Sequence, residues 1–217
     1  MRRITPEERL KMRKVYVRKM MNEVRTQGFR AMTIPKIAKL MNISRASLYN
    51  YFSSKEDVIQ EVIIVYTDYL EESKEFIQDQ TRSYSVRLQK VFEQAVFSGY
   101  YTSDVFIKDL KESCPLLYEK KLQSHKENRQ AVQKFYQDGI TDGVFHSINP
   151  KILIMRDETA LKTLLNTSFL QDVGISLEKA LGDYFEAMYQ LVVPGSVNEK
   201  HSIDHVVQPI LDRLSVE

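Results

Sequence analysis

Apolar and polar positions along this chain follow the helical period nearly throughout. Ile37, Ala38 and Leu40 give one short segment an apolar side, and Leu48 and Phe52, four residues apart, do the same for the next. Ile59, Val62, Ile63, Tyr66, Tyr69 and Leu70 form a longer stripe, which predicts a helix running from near Lys55 well past residue 60. After a polar break at residues 81–85, Leu88, Val91, Phe92, Ala95 and Val96 mark another helix, and Pro115 opens a long one ending near Gly139. Two late helices are expected, one over residues 157–169 and one marked by Leu177, Ala180, Leu181, Tyr184, Met188 and Val192. With few glycines and prolines and no internal repeat, the fold class is all-α.

The segment Thr33–Lys55 carries the densest punctuation. Thr33 offers an N-cap hydroxyl and Pro35 sits in the opening turn, where its missing N–H leaves no bond unmade. Asn42 stands where the chain must reverse and tolerates a left-handed backbone. Ser44 is a second cap, leaving Arg45, Ala46, Ser47 and Tyr49 outward while Leu48 and Phe52 anchor the helix. Ser53 to Glu56 has capping-box spacing and opens a third helix, whose amides and Lys55 would suit a phosphate. Two short helices at a tight turn describe a helix-turn-helix, a shape that fits the major groove of DNA.

The ordered set Gly28-Phe29, Thr33, Ile37-Ala38, Ser44, Leu48-Tyr49, Tyr51-Phe52 and Ser54-Lys55-Glu56 resembles the N-terminal domain of TetR-family transcriptional regulators. Two positions depart from the family pattern: Asn42 replaces a turn glycine, and Val24 replaces a large aromatic. The resemblance implies a three-helix DNA-binding domain at residues 1–55 and a larger helical ligand-binding and dimerisation domain at 56–217. It implies DNA contacts at Thr33, Lys36, Ser44, Arg45, Ala46, Ser47, Tyr49, Tyr51 and Lys55. Among these, Arg45 has the chemistry to read guanine, Ser47 can donate or accept, and Ala46 or the Tyr49 ring can meet a thymine methyl. Thr33, Lys36, Tyr51 and Lys55 would position the phosphate backbone. The resemblance further implies a homodimer through the two late helices, a roughly palindromic operator, and repression relieved by a small-molecule effector.

Charge supports the DNA expectation independently. Residues 1–60 hold 14 Lys/Arg against 5 Asp/Glu, a net +9, whereas residues 61–217 hold 17 against 24, a net −7. Cations displace the counterions that surround phosphates. Arg2, Arg3, Arg9, Lys11, Arg13, Lys14, Arg18 and Lys19 cluster early, as an arm or helix following DNA would. No apolar run has membrane-spanning length and the first residues lack a signal-peptide core, so a cytoplasmic location is expected. The single Cys114, beside Pro115, marks a helix boundary instead of a redox or metal site.

For the effector, Tyr66, Phe92, Tyr100 and Tyr118 can supply aromatic surface, and His125 and Arg129 on the long helix would need partners if they face inward, a place at its solvated margin being the ordinary alternative. Core packing is the ordinary alternative for each aromatic. The segment Asp138–Phe145 resembles the turn after the long central helix of the same family. Two other function classes stay open: a DNA-binding adaptor whose second domain recruits a protein, and a helical enzyme. The enzyme has little support, because His125, His146, His201, His205 and Cys114 form no catalytic or metal-binding set and no phosphate loop or nucleophile elbow occurs. No cofactor is expected.

Overall fold

The computed structural model describes residues 5–195 and 204–216, so Arg2, Arg3 and His201 lie outside the described residues. Every regular element among the described residues is a helix: α1 (Pro6–Arg18), α2 (Met21–Gln27), α3 (Ile34–Leu40), α4 (Arg45–Tyr51), α5 (Lys55–Gln78), α6 (Tyr84–Tyr100), α7 (Asp104–Ser113), α8 (Pro115–Thr141), α9 (Pro150–Leu164), α10 (Thr167–Val173), α11 (Leu177–Val192) and α12 (Asp204–Val216). The described residues fall into two compact units. One is drawn from residues 5–69, 101–124 and 216, the other from residues 70–100, 125–195 and 204–215. Among the described residues, no helix is long and apolar enough to cross a membrane.

In the first unit, Thr5 caps α1 through a reciprocal box with Glu8, and Pro6 fills the first turn. Val17, Met20, Met21, Val24, Phe29, Ile37, Leu48, Phe52, Val58, Ile59 and Val62 are buried and form its core. α2 ends at Gly28, whose φ of +71° only glycine adopts freely. A β-carbon at Gly28 would also overlap the carboxylate of Asp109 on α7. That carboxylate accepts the N–H groups of Phe29 and Arg30, both at 2.8 Å, so α7 holds the turn entering α3. Phe29 packs edge-on against Phe106 of the same helix.

In the second unit, α9 packs on α6 and is flanked by α10 and α11. Two sequence expectations shift here. The stretch Lys151–Met155, whose β-branched residues blur a helix start, lies inside α9, because Asn149 caps it with Pro150 in the first turn. The helix expected at 157–169 is interrupted: α9 ends at Leu164 and Asn166 caps the separate α10. After α8, Gly143 turns with positive φ, and Val144 and Phe145 donate to the Gly139 carbonyl. The Phe145 ring then lies where a side chain at residue 139 would be.

Candidate nucleic-acid interface

Thr33 caps α3 by accepting the Lys36 amide at 3.4 Å, and Asn42 takes the turn with φ +58°, the conformation that a turn glycine would otherwise supply. Ser44 caps α4, accepting the Ser47 amide at 3.0 Å, and its hydroxyl lies 2.9 Å from the Ser47 hydroxyl. Leu48 and Phe52 are fully buried beneath α4. Arg45, Ala46 and Tyr49 are exposed on the other side, Tyr49 by 55 % despite its large ring. Arg45 makes no hydrogen bond or ion pair with the described residues.

The far end of α4 is held by two arginines of α1, and Arg9 donates to the Tyr51 carbonyl at 3.3 Å. Arg13 of α1 donates to the Tyr51 carbonyl at 2.8 Å, to Asp57 at 2.6 Å and to Glu61 at 2.6 Å, and its guanidinium lies 4.6 Å from the centre of the Phe52 ring. Burial opposes the charge on Arg13, but the two carboxylates outweigh it and hold the guanidinium pKa above its usual value. Arg13 in turn holds the Asp57 carboxyl below the usual range. The basic cluster on α1 is thus not uniformly available to DNA: Arg13 is committed internally, and Lys14 pairs with Asp68 at 2.6 Å.

The other positions expected to meet DNA differ in freedom. Lys36 pairs with Glu23 and donates to Gln27 at 3.1 Å. Tyr51 is buried, with its ring edge-on to Tyr16 at 4.9 Å. Lys55 donates to the Arg30 carbonyl at 2.7 Å. The cap of α5 sits one residue later than the Ser53–Glu56 spacing suggests. Ser54 accepts the Asp57 amide at 3.1 Å, and Asp57 accepts the Ser53 amide at 2.8 Å. The carboxylate of Asp57 therefore already occupies part of the helix end that a phosphate would use.

The residues expected to meet an effector are divided between the units. Tyr66 and Tyr118 belong to the first, and Phe92, Tyr100, His125 and Arg129 to the second. Phe92 is core, 5.0 Å from the Phe185 ring, and Tyr100 is buried. His125 and Arg129 border a cavity of about 30 Å³ with Gln94, Ser98, Asn128 and Asp157, room for a water or two. Arg129 lies at the solvated margin, its side chain about half exposed, and pairs with Glu158 at 3.1 Å, with His125 4.0 Å from the same carboxylate. Burial raises the Glu158 carboxyl pKa and Arg129 opposes that rise. Asp157 behind it is held between Arg156 at 2.6 Å and the Tyr184 hydroxyl at 2.7 Å.

One chemically distinctive residue gives no sequence signal. Lys121, among Tyr118, Leu122 and His125 on α8, looks like one more cation on a solvated face, yet it is 4 % exposed. Its ammonium lies 4.9 Å from the centre of the Tyr66 ring, and that ring is 5.5 Å from Tyr101.

Comparison with known proteins identifies this arrangement. Residues 21–62 match the family model described as bacterial regulatory proteins, tetR family. No curated protein matches the sequence. Among solved structures, the ketosteroid transcriptional regulator KstR2 of Mycobacterium tuberculosis is 18 % identical, with 88 % of this chain and 99 % of that chain covered and a TM-score of 0.59. The TetR-family regulator PfmR from Thermus thermophilus is 15 % identical over 80 % of this chain and 96 % of its own, with a TM-score of 0.58. A transcriptional regulator from Saccharomonospora viridis, solved in complex with choline, is 14 % identical over 84 % of this chain and 98 % of its own, with a TM-score of 0.62. At such identities the structural likeness speaks for the fold, while the matched segment is the one that builds α2 to α5. The helix-turn-helix and the family model fall on the same residues, so residues 21–62 form a DNA-binding domain of the tetR family of bacterial regulatory proteins, in a chain with the fold of TetR-family regulators.

Proposed function

We propose that this regulator is a cytoplasmic homodimeric repressor that reads a roughly palindromic operator and is released from it by a small molecule. The observation that carries the DNA half is the short helix α4, fixed at both ends, with Arg45, Ala46 and Tyr49 exposed inside a segment of net charge +9. In this reading residues 1–55 bind DNA and residues 56–217 regulate and dimerise. Arg45, Ala46, Ser47 and Tyr49 read bases, while Thr33, Lys36, Ser44, Tyr51 and Lys55 set the helix on the backbone. Tyr51 would do so through its place under α4, since its ring is buried.

Dimerisation is supported by exposed apolar side chains on the late helices: Ile152 and Met155 on α9, Phe169 and Val173 on α10, and Leu191 on α11. Met155, Ala160, Leu164, Phe169 and Tyr184 line an open groove there of about 550 Å³. A second copy would cover this face, and two recognition helices would then address half-sites about 34 to 36 Å apart. The same groove, beside a core whose cavity at His125 and Arg129 holds only water-sized space, also favours a second reading, recruitment of a protein partner. The choline bound to the relative from S. viridis supports the small-molecule reading in kind, as an example of a bound metabolite.

The deciding experiment selects bound sequences from random DNA with purified full-length protein. A two-fold symmetric consensus is expected. Failure to enrich any sequence overturns sequence-specific binding, and enrichment of a single unrepeated half-site overturns the dimer.

A further inference from the structure

Lysine is almost never buried without a partner, because its ammonium loses hydration that only an anion or several acceptors can replace. Among the other charged residues that are buried as a whole in the described structure, the rule holds. Glu61 has Arg13, Arg87 donates to the Ile77 carbonyl at 2.6 Å, and Asp157 has Arg156 and Tyr184. Lys121 is the exception: it makes no hydrogen bond or ion pair with the described residues, and its one contact of this kind is the Tyr66 ring. Burial alone lowers its pKa, to about 8, with no neighbouring charge adding to or opposing the shift.

An ammonium whose N–H donors meet no acceptor among the described residues, over an aromatic face, has the chemistry of one half of a binding site. Its single charge selects the missing half. A cation would repeat the charge already buried, and a dianionic phosphate would bring a second negative charge that nothing beside Lys121 neutralises. A carboxylate matches it one to one and accepts its hydrogen bonds.

We propose that Lys121 anchors the carboxylate of a monoanionic organic acid, whose apolar body lies against the rings of Tyr66 and Tyr101. This rests on the effector-responsive reading above and names the chemical class of the effector. It also separates this protein from its choline-bound relative, since the two would recognise opposite charges.

The test uses full-length protein and its selected operator, with benzoate, phenylacetate, hexanoate and decanoate as probes. Each acid is compared with its own primary amide at constant ionic strength, and both thermal unfolding and operator release are read. At least one acid is expected to raise the midpoint of wild type by several degrees and release the operator, with its amide at least tenfold weaker. Lys121→Arg should keep part of the response and Lys121→Met none, with Lys121→Gln as a second neutral variant should Lys121→Met fold poorly. Stabilisation by an acid without operator release keeps the carboxylate site and overturns the effector reading. Release by amides as strongly as by acids, or an unaltered response in Lys121→Met, keeps the effector reading and overturns the carboxylate site. No response to any acid overturns the proposal.

Discussion

Arg13 and Lys121 are both shielded cations of the same compact unit, and they are treated in opposite ways. Arg13 spends its guanidinium on a backbone carbonyl, two carboxylates and an aromatic ring, tying α1 to the end of α4 and the start of α5. Lys121 has, among the described residues, only an aromatic ring. A cation whose donors are all met inside the protein is part of its framework. One left with open donors is poised for something from outside. The same contrast recurs on the surface, where Lys55 is held by the Arg30 carbonyl while Arg45 is unengaged among the described residues.

The largest test of this contrast is Arg13→Ala. It leaves Glu61, 2 % exposed, without its cation and the Tyr51 carbonyl with only the longer bond from Arg9, so a loss of about 3 to 5 kcal/mol in denaturant unfolding is expected. A loss below about 1 kcal/mol would remove Arg13 from the framework. The acid limb should change with it. Asp57 has a lowered folded pKa, so its stabilising contribution is present above the unfolded carboxylate range and disappears as pH falls through the folded value. Arg13→Ala should flatten that loss.

Lys121 should behave inversely. Its folded pKa of about 8 lies below the unfolded value of about 10.4, so between these limits the unfolded chain binds the extra proton and stability rises with pH. Wild type should gain on the order of 3 kcal/mol over Lys121→Met across that window. Parallel pH profiles for the two proteins would show that the amine is not desolvated.

Next in size, Arg45→Ala should weaken operator binding by about 1 to 3 kcal/mol, concentrated at one base position. Equal loss on every operator variant would contradict direct base reading. Lys55→Ala has the smallest expected effect, a uniform weakening with the salt slope lower by about one unit. An unchanged slope would leave Lys55 only its bond to the Arg30 carbonyl.

What was legible in the sequence was what is decided locally. Thr33, Ser44 and Asn42 act within four residues of themselves, and each cap and the turn stand where spacing puts them. Pro115 opens α8 as expected, and α5 runs unbroken from Lys55 to Gln78. Errors of one residue appear where two local solutions compete: Ser53 and Ser54 are both competent caps, and the carboxylate of Asp57 favours the second. The α9–α10 break is harder to see, because Asn166 interrupts a pattern that is otherwise compatible with a single helix. Least legible are long-range facts. The burial of Lys121 depends on Tyr66, 55 positions away in the chain, and no helical spacing encodes it. Nor does spacing reveal that Asp109, on a helix the stripes did not predict, receives two amides from the Gly28 turn.

That last contact limits how freely the DNA-reading segment can be transplanted. Were residues 1–55 fused to the body of another regulator, the amides of Phe29 and Arg30 would arrive without their acceptor unless the host helix also carried a carboxylate at the matching place. A chimera that changes operator preference should therefore carry α7 along with the segment, and Gly28 and Asp109 should be exchanged as a pair.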